Sequence, residues 1–130
     1  MLRDARLIAA LLSMRLHEGL AQRMPLTELC PTVDIPENTT RRFDVGNHAL
    51  AVYNVSGTFY VTDDECTHGA ASLSDGVLED DIIECTMHFG AFNVRTGEVV
   101  QAPCSIPLRT YKVIVQDGKL FVDLEKTAND

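Results

Sequence analysis

Cys66-Thr67-His68-Gly69-Ala70-Ala71-Ser72-Leu73-Ser74-Asp75-Gly76 and, further along, Cys85-Thr86-Met87-His88-Phe89-Gly90-Ala91-Phe92-Asn93-Val94-Arg95-Thr96-Gly97 decide how this chain is read. Sixteen residues separate the Cys66/His68 pair from the Cys85/His88 pair. Each pair joins a soft thiolate to an imidazole, in Gly-, Ser- and Thr-containing stretches of the kind that a rigid scaffold presents as loops. Four such donors could complete a tetrahedral Cys2His2 zinc site, although structural zinc pairs usually bring two Cys from one knuckle and two His from another. A Cys and a His from each loop suit a binuclear cluster better, with both thiolates on one iron and both imidazoles on the other.

Around these two loops the chain reads as short β-branched and aromatic runs at 41–45, 49–55, 58–62, 82–85, 92–95, 111–116 and 120–124. Turn residues that tolerate positive φ separate them at Gly46-Asn47, Ser56-Gly57, Thr96-Gly97 and Asp117-Gly118. Seven short strands imply an all-β domain, a small antiparallel sandwich or barrel. A third irregular stretch, 101–107, contains two prolines and Cys104.

Residues 1–23 differ: Leu7, Ile8, Leu11, Leu12, Leu16 and Leu20 recur at roughly helical spacing among four Arg. They predict a short N-terminal amphipathic helix, with the β domain at 24–126 and a tail at 127–130. The helical segment carries four Arg against Asp4 and Glu18, so the overall charge of −8 leaves −10 on the remainder. Such a charge repels the phosphates of nucleic acid and favours basic protein partners. The apolar run 7–12 is too short for a membrane span or a signal core. With 130 residues, 45% of them hydrophobic, the chain can build one modest core without disulfides, so the four Cys read as reduced thiols or metal ligands in a cytoplasmic, monomeric protein.

The two motifs resemble the Rieske signature, and from about Met24 to Glu125 the chain is similar to the ferredoxin components of bacterial aromatic-ring dioxygenases such as the biphenyl and naphthalene systems. The resemblance implies an antiparallel β-sandwich with a two-loop cluster-binding subdomain inserted, and one [2Fe-2S] cluster held by Cys66, His68, Cys85 and His88. It also implies a Pro-containing third loop over the cluster, which 101–107 matches. The implied role is one-electron transfer from a flavin-dependent reductase to a terminal oxygenase with its own Rieske centre, the alternative being a Rieske electron-transfer subunit for another oxygenase or a reductase. Met24 opens the similar segment, so the extension reads as the product of an upstream start codon.

The residues agree with a carrier rather than an enzyme. No GxGxxG fingerprint is present. With His68 and His88 committed, His17 and His48 remain, and they form no 2-His-1-carboxylate arrangement for an oxygen-activating iron. Cys30 and Cys104 read as buried or loop thiols, His48 as a solvated turn residue, and the runs Asp63-Asp64-Glu65 and Glu79-Asp80-Asp81 as solvated acids placed to steer a partner.

High-potential relatives resemble the second motif but carry Ser and Tyr where this chain has Gly90 and Phe92, and a disulfide where it has Ala71 and Met87. Hydroxyls near cluster sulfurs stabilise the added electron. The sequence therefore predicts a low potential for the class, and a rise on Gly90→Ser or Phe92→Tyr.

Overall fold

The computed structural model describes residues 26–87 and 89–128. The expected N-terminal helix and His88 lie outside the described residues.

Among the described residues ten strands form: β1 (Leu26–Pro31), β2 (Thr39–Val45), β3 (His48–Val55), β4 (Thr58–Asp63), β5 (Val77–Glu79), β6 (Ile82–Glu84), β7 (Ala91–Asn93), β8 (Val99–Gln101), β9 (Thr110–Gln116) and β10 (Lys119–Asp123). Single 3-10 turns sit at Thr32–Asp34 and Leu73–Asp75. One sheet has the order β1-β10-β9-β4-β3-β2 and the other β5-β6-β7-β8, with every described pairing antiparallel. The larger sheet is joined at its middle by two residue pairs alone, Val61 with Tyr111 and Thr62 with Thr110. Its two three-stranded halves can therefore fold toward each other over a shared core.

The hairpins follow from local chemistry. Ser56-Gly57 has φ of 51° and 96°, and Asp117-Gly118 has 55° and 73°. Positive φ at both central residues is the type I′ pattern, whose twist matches that of the flanking strands.

Strand β3 explains how the molecule is layered. Side chains alternate across a strand, so an uninterrupted apolar run is stable only where both faces are covered. Leu50 and Val52 enter one core with Cys30, Ile35, Val61, Tyr111, Leu120 and Val122. Ala51 and Tyr53, on the opposite face, enter a second core with Cys66, Leu73, Ile83, Cys85, Phe92, Val94, Cys104 and Leu108. The second core ties the large sheet to the small one, where Ile83 of β6 faces Phe92 of β7 across the ladder. The bases of both motifs rest on it.

Three strands exceed the seven expected from the sequence: β1, β5 and β8. All three are edge strands. β5 and β8 are three residues each, too short for a period of two to register, and β1 is half exposed and ends in Pro.

Candidate metal centre

The first loop leaves β4 and the second connects β6 to β7, and both use the same closure. The Cys66 amide donates to the Ala71 carbonyl at 2.9 Å, and the Cys85 amide donates to the Gly90 carbonyl at 2.7 Å. Each cysteine thus opens a six-residue loop at the point where the chain leaves the core. In the second loop Phe89 turns the backbone with φ of 61°.

Cys66 and Cys85 are buried, at 2% and 1% exposure. Cys66 and Cys85 belong to one buried core, and the Cys85 thiol feels the neighbouring Cys66. Burial, opposed in part by the Met87 backbone, pushes the Cys85 thiol above its ordinary value, and the neighbouring Cys66 adds to the rise. His68, two residues beyond Cys66, is exposed. The structure therefore brings the two predicted thiols together on a dry floor and sets His68 on the solvent side. The placement of His88 is outside the described residues. Paired buried sulfurs below and an imidazole at the rim fit the donor chemistry of a cluster with one thiolate-held and one imidazole-held iron.

The third loop closes over this floor. Thr67 Oγ1 donates to the Ile106 carbonyl at 2.7 Å, and Gln101 Nε2 donates to the Phe89 carbonyl at 3.1 Å, so each motif loop is tied to the third. Ala102-Pro103 is a cis peptide bond. Cys104 points inward, and its Sγ lies 3.7 Å from Cys66 Sγ. Burial first, then Cys66 and Cys85, push its thiol up to about 12. Sequence reasoning puts Cys104 in the covering loop but finds no role for it. Cys30 is buried in the other core and is separate from these three.

Two sequence expectations change here. Asp64, read as a solvated acid, is buried at 1% exposure; it accepts from the Ser72 hydroxyl and, at 2.8 Å, from the Ser74 amide, and it faces Arg42 Nη1 at 3.5 Å. Its backbone carbonyl also takes the Leu73 amide at 2.7 Å. Asp64 is the anchor of the first loop. Asp63 accepts from the Tyr111 hydroxyl at 2.5 Å, which leaves Glu65 as the exposed acid of the three. His48 is half-buried rather than solvated, and packs edge-on to Tyr111 with ring centroids 6.1 Å apart.

Met87, Phe89 and Ile106 are exposed at 48%, 61% and 59%, and all three stand on the loops that surround the thiol floor. Large apolar side chains held outward on tied loops are characteristic of a docking surface.

Residues 26–112 match the Rieske [2Fe-2S] domain family. Ferredoxin CarAc of Metapseudomonas resinovorans is 48% identical over 100 residues, which span 76% of this chain and 94% of that protein. The ferredoxin component of biphenyl 2,3-dioxygenase from Rhodococcus jostii (strain RHA1) is 42% identical over 102 residues, 78% of this chain and 95% of that one. Among solved structures, the complex of reduced oxygenase and oxidized ferredoxin in carbazole 1,9a-dioxygenase contains a similar chain, with a TM-score of 0.73 and 46% identity over 77% of this chain and 94% of that chain. The Sphingomonas yanoikuyae B1 ferredoxin has a TM-score of 0.72 and 41% identity, over 75% of this chain and 96% of that chain. Among the described residues no helix is long and apolar enough to cross a membrane. The chain belongs to the Rieske [2Fe-2S] ferredoxins, electron carriers of aromatic dioxygenase systems rather than catalysts, and its cofactor is one Rieske cluster.

Proposed function

We propose that this ferredoxin takes single electrons from a flavin-dependent reductase and delivers them to a terminal oxygenase carrying its own Rieske centre, acting as a monomer in the cytoplasm through residues 24–126. In this reading Cys66 and Cys85 hold one iron, and His68 and His88 hold the other. When bound, the cluster supplies a one-electron couple. The observation that carries the reading is the buried Cys66/Cys85 pair beneath loops whose outer residues are exposed.

Each part of the chain contributes to that transfer. The floor formed with Phe92, Leu73 and Ile83 keeps water from the thiolate side and fixes the two sulfurs. His68 stands on the solvent side, where a partner can approach. Met87, Phe89 and Ile106 give the partner an apolar surface, and the acidic remainder of the domain adds long-range attraction toward a basic one. The related chain solved together with its oxygenase supports a terminal oxygenase as acceptor.

The test combines ligation with transfer. The reduced protein is expected to give an electron paramagnetic resonance signal with the low average g value of a histidine-ligated cluster, and to accept one electron per chain from a flavin-dependent reductase. Alanine at Cys66, His68, Cys85 or His88 removes one of the two protein ligands of an iron, so each variant is expected to lose bound iron and its colour. Full iron and sulfide in both the His68→Ala and His88→Ala variants would refute the ligand assignment.

A further inference from the structure

Cys104 is buried at 3% exposure, with its sulfur 3.7 Å from that of Cys66, and electron transfer as described above gives it nothing to do. Its position is built from several sides. Gly90 of the second loop supplies the room, because a Cβ there would come within 2.3 Å of Cys104 Sγ. The loop that carries Cys104 is tied to the first loop by Thr67 and to the second by Gln101. Cys104 shares its apolar core with Phe92, Leu108 and Ile83.

As the chain stands, either of the two sulfurs can be the donor in the 3.7 Å contact. A cysteine that ligates iron does so as thiolate and has no proton to give. The direction of the bond is then fixed: the S–H belongs to Cys104 and the acceptor is Cys66. Hydrogen bonds to ligand sulfurs offset the negative charge that arrives with the electron, and they stabilise the reduced state more than the oxidised one.

We propose that Cys104 is a positioning residue that donates its S–H to the ligand sulfur of Cys66 and thereby raises the midpoint potential of this carrier. The inference rests on Cys66 being a ligand. It goes further in giving the third loop an electronic role, since the same loop that covers the site also sets how readily an electron is accepted. Sulfur is a weak donor, so the effect adjusts the potential within its class.

Three variants of the holoprotein test this by iron and acid-labile sulfide content and by midpoint potential from voltammetry. Cys104→Ala removes the donor and makes more room; it is expected to keep the cluster and shift the midpoint downward. Cys104→Ser restores an O–H donor and is expected to bring the midpoint back toward the wild-type value. An unchanged midpoint in Cys104→Ala would overturn the proposal, as would a Ser variant as low as the Ala variant, because packing would then be the cause. Loss of iron from either Cys104 variant would overturn it too, by making the residue part of what builds the site. Cys66→Ala separates this inference from the reading beneath it. If that variant keeps a full complement of iron, the ligand assignment has failed; if it loses the iron, the Cys104 results speak for the donor alone.

Discussion

Gly90 and Cys104 compete for one space: a Cβ on Gly90 would approach Cys104 Sγ to 2.3 Å and the Cys104 amide nitrogen to 3.1 Å. The hydroxyl that the sequence invites at position 90 therefore cannot be added in place, because Ser brings a Cβ before it brings an oxygen. Overpacking a tight interior site costs about 1–3 kcal/mol. Gly90→Ala and Gly90→Ser are both expected to lower the thermal midpoint of the holoprotein by that order. Adding Cys104→Ala to Gly90→Ala removes the closest contact, so the double variant should be more stable than the sum of the single effects. A Gly90→Ala protein melting with the wild type would show that the second loop yields freely.

Asp64 and Glu65 are neighbours with opposite duties, and single substitutions should separate them. Asp64→Ala leaves the Ser74 amide and the Ser72 hydroxyl without their buried acceptor. Arg42 is half exposed and keeps its hydration, and the Ser72 hydroxyl keeps the Ser74 hydroxyl at 3.2 Å, so the loss comes mainly from the unpaired Ser74 amide, about 1–3 kcal/mol. Denaturant midpoints measure it. Glu65→Gln, on an exposed residue, should change stability by no more than about 0.5 kcal/mol. It should instead slow second-order electron transfer at low salt, since attraction is screened over about 8–10 Å in physiological buffer. Equal loss of stability in both variants would contradict the separation.

Much of the fold could be read from the sequence because its signals are local. The four turn pairs, the apolar run of β3 and the two Cys/His motifs each announce themselves within a few residues. What escaped was tertiary. The edge strands β1, β5 and β8 owe their pairing to a neighbour rather than to their own pattern. Asp64 looks like the exposed Glu65 beside it until the Ser72 and Ser74 groups fold back on it. Cys104 lies 38 residues from Cys66, and no spacing rule connects them. The one local signal for Asp64 was its place two residues before the first Cys, with serines eight and ten residues beyond it whose hydroxyl and amide can turn back to a carboxylate.

Alkaline pH should destabilise the domain, and the phenols give the reason. Burial raises the pKa of Tyr53 and of Tyr111 well above the ordinary tyrosine value; for the first it outweighs the opposing Thr62 hydrogen bond, with smaller additions from Asp64 and Cys66, and for the second the Asp63 hydrogen bond adds to it. The folded state then holds protons that the unfolded chain releases above about pH 10. Stability is fully present below that pH and falls as pH rises toward the folded values. Tyr53→Phe should reduce the slope above pH 10, since one of two such phenols is gone, while Tyr111 and the raised thiols of Cys30 and Cys104 maintain the rest. At neutral pH it should cost about 0.5–1.5 kcal/mol for one hydrogen bond. Thr62 keeps its bond to the Asp63 carbonyl at 2.8 Å and is not orphaned. Denaturant midpoints between pH 8 and 11 test the sign, and an alkaline slope in Tyr53→Phe as steep as in the wild type would place the proton release elsewhere.

The midpoint potential should lie toward the lower end of the Rieske range of about −150 to +300 mV. Neutral imidazole ligands raise every member of the class alike, so position within it depends on the donors that reach the sulfurs. Gly90 offers no side chain, and Phe92, fully buried in one core with Cys66, Cys85 and Cys104, offers a ring without a hydroxyl. Among the described residues the side-chain donor at a predicted ligand sulfur is the Cys104 thiol at 3.7 Å, weaker than the hydroxyls it would have to replace. With position 90 closed to a side chain, Phe92→Tyr becomes the one hydroxyl that can be introduced without displacing Cys104. It is expected to raise the midpoint, and combining it with Gly90→Ser should add instability rather than a second rise. Voltammetry decides both parts. A wild-type midpoint well above zero near neutral pH would mean that backbone N–H groups outweigh the absent hydroxyls. An unmoved midpoint in Phe92→Tyr would mean that the new O–H turns away from the sulfurs, in which case the variant should also lose about 1–3 kcal/mol for a polar group buried without a partner.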